Sequence, residues 1–389
     1  MQIKYIKKYK TLILFLTLFY LSMGASKYVH VLWFEKNKSV FSYSLSYSAM
    51  AIAGSFSFLL GKYISKLSIQ KNILIFLPIY MLGMSLRIFT EPIILPVISG
   101  FISGIGASIV ILIIRNWMFE LINENPEDKS EILSSRIIIM QLMITLGTII
   151  SGQILFIFNE NNSIYIILLM LSAFSLSSCL FIKKIPNKHL ENNNNIKLLP
   201  KNKKLTLLIT SLCILIGISM GMLEPYYPII LKKVGYNVSI ISIIMSLYTI
   251  FKILGSFIFK KKFFTLKPQI TLFCIEISLS IMFFSSGLFP ETKLIIIPIL
   301  FSSILISGVL ITKEITEYNI LPKKELPIYF GILQSAFLIG DSLGNPIGGF
   351  LYTNTNTSTM LFSYSLINLI IGISYLCLYS YITKKKGLN

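Results

Sequence analysis

Acidic residues are scarce in this chain. The 16 Asp and Glu stand against 35 Lys and Arg, and charged residues together make up only 13% of the 389 positions. A soluble domain usually carries about 25%, so a water-facing surface over the whole length is excluded. Histidine is almost missing, with His30 and His189 alone, and neither has a partner at ligand spacing. The four cysteines, Cys179, Cys213, Cys274 and Cys377, fall inside apolar stretches and read as small buried apolar residues. No metal and no cofactor are expected. There is no GxxxxGK[ST] phosphate loop and no soluble segment large enough for a nucleotide-binding module, which disfavours ATP-driven pumping by this chain alone.

What the chain has instead is apolar residues, 54% of the total, with a mean hydropathy of +0.76. They arrive in runs of about 20 residues, the length that crosses roughly 30 Å of hydrocarbon at about 1.5 Å per residue. The runs cover 11–33, 39–60, 73–90, 93–114, 132–158 and 163–182, then 205–231, 238–259, 270–289, 294–312, 326–352 and 359–380. Backbone polar groups in lipid must be satisfied within the segment, so the spans are expected to be helices. The fold expected is an all-α membrane protein of twelve transmembrane helices in two pseudo-symmetric six-helix halves, residues 1–182 and 205–389, joined by a basic linker at 183–204.

Charge placement checks this count independently. With the N-terminus placed in the cytoplasm, 25 of the 35 Lys and Arg fall on the inside and 5 outside, the remaining 5 lying within spans or at their ends. That bias obeys the positive-inside rule, and one span more or fewer would reverse the sides beyond it. The formal net charge of +19 is therefore topology control rather than a nucleic-acid surface, and no nucleic-acid partner is expected. The basic start (Lys4, Lys7, Lys8, Lys10) runs into an apolar stretch without a small-residue cleavage site, as an uncleaved first span would. Both termini are expected in the cytoplasm of a multi-pass protein of the cell membrane, the inner membrane if the source is Gram-negative.

Glycine patterns recur at equivalent places. Gly61, Lys66 and Lys71 follow the second span, with Ser65 between them. The fourth span holds Gly104 and Gly106, preceded by Gly100. The fifth carries Gly147 and Gly152, and the eleventh reads Gly340-Asp341-Ser342-Leu343-Gly344-Asn345-Pro346-Ile347-Gly348-Gly349. Together with two six-span halves and a polar linker, these patterns resemble the major facilitator superfamily of secondary transporters. Ser65 stands where that family often has Asp, and Gly100 where it often has Arg. The eleventh-span pattern is similar to the family's exporter-type Gly-x-x-x-Gly-Pro-x-x-Gly-Gly. The resemblance implies gating or packing roles for Gly61, Lys66, Gly104, Gly106, Gly147, Gly152, Gly340, Gly344, Pro346 and Gly348. Gly340, Gly344 and Gly348 share one helix face, which suits both close helix approach and a hinge at Pro346.

Charges inside the membrane carry the functional reading, because each costs about 2.5–3.5 kcal/mol at mid-span. Counting from the inner ends at 1.5 Å per residue puts Lys27 at about 24 Å, Glu224 at about 28 Å and Asp341 at about 23 Å. Spans one and seven line the central cavity in the resembled family. Lys27, Glu224 and Asp341 are therefore substrate- or proton-pathway candidates in one outer chamber, with Tyr226 and Tyr227 beside them; snorkelling to the outer surface is the alternative for Lys27 and Glu224. Lys252 and Glu276 come out at about 12 and 10 Å on consecutive helices, as a structural ion pair would. Arg87 and Glu91 are spaced for an exposed i,i+4 pair. Arg115 and Arg136 flank the acids Glu120, Glu124, Glu127, Asp128 and Glu131, as a latch or as a solvated loop, and Glu314 and Glu317 occupy the matching edge after span ten.

The function expected is secondary active transport of a small organic solute by alternating access, with proton-coupled export as the finer form. Nutrient import on the same fold, and a non-transporting receptor or scaffold, are the competing readings. No catalytic constellation points to an enzyme. Expected partners are a small-molecule substrate, membrane lipids and protons as coupling ion, with the monomer as the working unit.

Overall fold

The computed structural model describes residues 9–56, 67–125, 129–182, 200, 202–321 and 326–386. Its long helices are α1 (Lys10–Lys36), α2 (Val40–Ser55), α3 (Ile69–Ser85), α4 (Ile94–Glu124), α5 (Lys129–Ile157) and α6 (Asn162–Ser175), followed by α7 (Lys203–Leu223), α8 (Val238–Phe259), α9 (Pro268–Leu288), α10 (Ile296–Ile320), α11 (Leu326–Asn354) and α12 (Thr357–Lys386). Among the described residues, ten segments are long and apolar enough to cross a membrane. Helices α2 and α11 stand outside that set. The first has 16 residues, and the second is interrupted by Gln334, Asp341 and Asn345. The chain is therefore an all-α multi-pass membrane protein in which ten of the twelve expected crossings meet this criterion.

The outward faces fit lipid. On α5, Ile138, Leu142, Leu146 and Ile150 recur every fourth residue and are 43–51% exposed. An apolar stripe of that length is an aggregation hazard in water and an ordinary surface in hydrocarbon. Helix ends are closed locally: the side chain of Asn202 accepts from Leu205 N at 3.1 Å, and that of Asn161 from Ser163 N at 3.2 Å. Serine hydroxyls inside helices donate back to carbonyls three or four residues earlier, as Ser172 does to Leu169 (2.7 Å) and Ser246 to Ser242 (2.7 Å). Each such bond satisfies a hydroxyl that lipid cannot.

The chain divides into two units, the first comprising residues 1–194 with 237–246, the second 195–236 with 247–389. In the first, α1 packs along α5, and α4 lies against both α2 and α3. Its core gathers Phe15, Phe19, Tyr20, Tyr80 and Trp117. In the second, α7 packs along α11 and α9 along α12 and α10.

Glycine makes these approaches possible. A Cβ at Gly340, Gly344 or Gly348 would come closer than 3.0 Å to the carbonyl oxygens of Ile214, Ile218 and Met222, three successive turns of α7. The first unit repeats the device, with Gly24 against Ile144 and Gly147 against Leu21 and Ala25 where α1 meets α5. In α4, Gly104 meets the backbone of Met50 on α2 and Gly106 that of Tyr80 on α3. Two residues turn a helix by about 200°, so this spacing opens opposite faces to two neighbours. Gly152 abuts the side chain of Ser242. Gly61 and Lys66 lie outside the described residues.

If backbone contact holds α7 to α11, Gly344→Ala should destabilise the detergent-purified protein by about 1–3 kcal/mol, the usual cost of overpacking. Leu343→Ala, on the exposed face of the same helix, should stay within about 0.5 kcal/mol of wild type. Equal thermal unfolding midpoints for the two variants would remove the glycine seam from the account.

Candidate functional site

The seventh helix does not run through. Pro225 has no N–H to donate and its ring conflicts with the carbonyl of Gly221. Helix α7 accordingly ends at Leu223, a three-residue 3-10 turn covers Glu224–Tyr226, and a short helix resumes at Tyr227–Lys233. The break presents Glu224 sideways, and its carboxylate meets the Lys252 ammonium of α8 at 3.1 Å, with both side chains about one-quarter exposed (25% and 24%). Lys252 Nζ also lies 5.6 Å from the ring centre of Tyr248. Tyr248 packs edge-on against Tyr227 at 5.5 Å, and the Tyr227 hydroxyl is 3.4 Å from Ser302 Oγ on α10. Ser307, also on α10, donates to the carbonyl of Lys252 at 2.6 Å. One ion pair is thus held by α7, α8 and α10 on an aromatic floor.

This arrangement corrects the expected Lys252–Glu276 pair. Residue counting set Glu224 about 28 Å and Lys252 about 12 Å from the inner ends of their helices, yet the two side chains touch. Depth counted along straight helices therefore does not choose partners, and Lys252 faces the broken end of α7. Glu276 instead turns into the second unit, 1% exposed, with Oε2 lacking any hydrogen-bond partner.

The other pathway candidates fall as follows. Asp341 sits half-buried on α11, and the Asn345 amide donates to its carbonyl at 3.1 Å and to Oδ1 at 3.5 Å. A Cβ at Gly221 would press on Asp341, so this acid lies along the glycine seam. Tyr226 is fully buried and donates to the Asn345 carbonyl at 2.7 Å, tying the helix break to α11 close to Pro346. Tyr227 is equally buried. Lys27 is exposed on α1 in the first unit, while Glu224 and Asp341 belong to the second.

Arg87 departs most from expectation. Helix α3 gives way to a 3-10 turn at Leu86–Ile88, and Phe89 is extended (φ −86°, ψ 117°), so residues 87 and 91 are no longer one helical turn apart. Arg87 is 5% exposed and donates to Ser26 Oγ at 2.7 Å and towards Met50 Sδ at 3.6 Å. Glu91 stays exposed, 3.5 Å from the Ser39 hydroxyl that donates to it. His30 is buried at 6%, edge-on to Phe34 and Tyr43, with its Nε2 unpartnered.

On the latch side, Arg136 Nε donates to the Tyr20 hydroxyl at 3.5 Å. Glu124 is exposed, and the side chains of Glu120, Glu127, Asp128 and Glu131 lie outside the described residues, as does His189. Helix α10 runs on to Ile320, eight residues past the expected span end. It therefore carries Lys313 and Glu317 inside as a pair at 3.6 Å, with exposures of 10% and 4%, while Glu314 stays exposed. The Cys213 thiol of α7 donates to Glu317 Oε1 at 3.1 Å. The i,i+4 spacing of Lys313 and Glu317 was the available signal; assigning Lys313 to a loop hid it. Among the described residues, no group of three His, Cys, Asp or Glu is placed to hold a metal.

No protein-family model and no curated protein sequence matches this chain. Solved structures do. Nucleoside transporter NupG superposes with a TM-score of 0.74 at 17% identity, over 95% of this chain and 98% of that one. The chain has the fold of a transporter. A bacterial homologue of the iron transporter ferroportin, in an inward-facing state, gives 0.70 at 12% identity, over 98% and 100% of the two chains. A structure on substrate recognition in proton dependent oligopeptide transporters gives 0.72 at 10%, over 97% and 99%. At these identities the likeness speaks for the fold alone.

Two predictions follow from the charges. Glu224→Gln and Lys252→Met should each destabilise the protein, and the double variant should lose less than their sum, with a coupling of about 0.5–3 kcal/mol; strict additivity in a denaturation cycle would mean that the pair contributes nothing. Arg87→Ala should cost about 2 kcal/mol or more through the buried hydrogen bond and packing it removes. Glu91→Ala should cost no more than about 0.5 kcal/mol. Equal, small losses in thermal unfolding would restore the surface-pair reading of Arg87.

Proposed function

We propose that this chain is a secondary active transporter of the major facilitator type, moving a small organic solute across a membrane by alternating access. The protein is a transport protein rather than an enzyme. The observation that carries the reading is the interrupted helix α7 with the Glu224–Lys252 pair at its break. In secondary transporters, substrate and coupling-ion sites commonly form where a spanning helix is discontinuous, because freed backbone groups and side-chain charges meet there. The fold held in common with transporters over almost the whole chain supports it.

Proton-coupled export is the finer form we favour. Its support is the exporter-like glycine pattern of α11 and a fold relative described as proton dependent. In this reading Glu224 and Asp341 contact polar groups of the solute, Lys27 is a further pathway residue, and Tyr226 and Tyr227 hold the helix break in shape. The protein works as a monomer in the cell membrane, with both termini on the cytoplasmic side, as the charge bias supports.

The test is uptake into proteoliposomes from a panel of nucleosides, di- and tripeptides and ferrous iron, with wild type and Glu224→Gln compared at an imposed pH gradient. We expect one organic class to accumulate with wild type and to fall at least about tenfold in the variant, the loss of one charge-assisted contact of about 1.4 kcal/mol. Accumulation only against an outward solute gradient would favour import. Failure of every solute to move, or to raise the unfolding temperature, would support a receptor or scaffold and overturn the proposal.

A further inference from the structure

Glu276 lies outside the site above. It sits on α9, 1% exposed, and lines a small cavity inside the second unit that also receives Ser219 from α7, Val309 from α10, and Tyr364 and Asn368 from α12. Its Oε2 aims into protein without a hydrogen-bond partner. Among the described residues no Lys, Arg or His pairs with it; Lys252, the cation expected there, is engaged with Glu224. Glu276 acts electrostatically on two phenols of α12, Tyr364 and Tyr375, and α7 and α10 present no charged side chain to the cavity.

A carboxylate at this depth, without a cation or a donor on one oxygen, is disfavoured in apolar surroundings. A bound proton removes the charge. The cavity's other polar groups are already committed. Ser219 Oγ donates to Asn368 Oδ1 at 2.8 Å, and Asn368 Nδ2 donates to the Tyr364 carbonyl at 2.7 Å. A hard metal cation wants about six oxygen ligands, and the rest of the wall is aliphatic side chains with Met220 and the Tyr364 phenol. One carboxyl with a free oxygen in a largely apolar cavity suits one proton.

The site also touches elements the transport reading needs. Ser219 lies on α7, five residues before the break at Glu224. On the other side α12 comes close at Gly372, where a Cβ would stand 3.0 Å from that of Glu276. A movement of α7 that admitted water or a cation to the cavity would let the proton leave.

We propose that Glu276 is an internal proton-carrying site, binding one proton when its cavity is closed and releasing it to water when the surrounding helices part. The proposal rests on the transport reading only for its role as a coupling site. The binding itself is testable without any solute.

The probe is the proton. Purified full-length protein in detergent is followed by infrared spectroscopy across a pH series, comparing wild type with Glu276→Gln, whose fold is checked by thermal unfolding; Glu276→Asp, with its shifted acid band, replaces the Gln variant if that one does not fold. The expected result is a carboxylic-acid carbonyl band in wild type that fades as pH rises and is missing from Glu276→Gln, with one proton fewer released per chain by the variant. Dicyclohexylcarbodiimide, which adds to protonated carboxyls in apolar sites, should label Glu276 at low pH and progressively less at high pH. Identical spectra for wild type and variant, or a band unchanged at every pH, would overturn the proposal. Loss of the band on adding sodium at constant pH would assign the site to sodium and overturn it as well. A titrating Glu276 together with no transported solute would sink the transport reading alone, whereas transport without titration would sink this one alone.

Discussion

Backbone-to-backbone contact along glycine seams is the constraint on which both units depend. In lipid, apolar side chains gain little by leaving one hydrocarbon neighbour for another, so helices associate through close packing and polar contacts. Gly340, Gly344 and Gly348 let α11 lie on the carbonyls of α7 for three turns, and Gly24 and Gly147 let α1 lie on α5. The same pair of helices, counted from the start of each unit, is joined by the same device. Both units thus share one packing device, as two pseudo-symmetric halves would.

Tight seams leave the irregular parts of the chain to carry polarity. Helix α7 packs on α11 up to Leu223 and then breaks at Glu224-Pro225, where the glycine face has ended. Beyond the break the backbone is held by side chains: Tyr226 to the Asn345 carbonyl, Tyr227 to Ser302, and Glu224 to Lys252. A charged pair at a break between packed segments is flanked by aromatic neighbours and stays about one-quarter exposed. The first unit has no such pair at Arg87, whose charge is met by a hydroxyl and a thioether instead.

Much of the fold was legible in the sequence. Run length marked the spans, ten of which meet the membrane criterion, because it reflects bilayer thickness directly, and the glycines of α4, α5 and α11 marked seams because no larger residue fits there. Pro225 breaks α7 for the local reason that its ring leaves no place for the helical hydrogen bond. Side-chain partners were harder to read. Counting residues along straight helices misplaced Glu224 and Lys252 in relative depth and says nothing of how each helix is rotated, and so Lys252 was matched to Glu276 when it faces Glu224. Arg87 was placed at the surface because a regular helix was assumed through Phe89. Glu317 was placed at the edge after span ten because the apolar run ended at residue 312, yet Lys313 pairs with it and α10 continues past both, with Cys213 adding a donor. In each case a local rule met a tertiary contact that changed its outcome.

As proposed above, the protein works as a carrier that alternates rather than as a pore or a scaffold. Counterflow tests it most directly: proteoliposomes are loaded with a high concentration of unlabelled solute and diluted into a trace of the same solute labelled. A carrier should draw label inward above its equilibrium level in a transient overshoot, because each outward passage of unlabelled solute returns a site to the outer face. Label that only equilibrates, with no overshoot and no stimulation by internal solute, would contradict it.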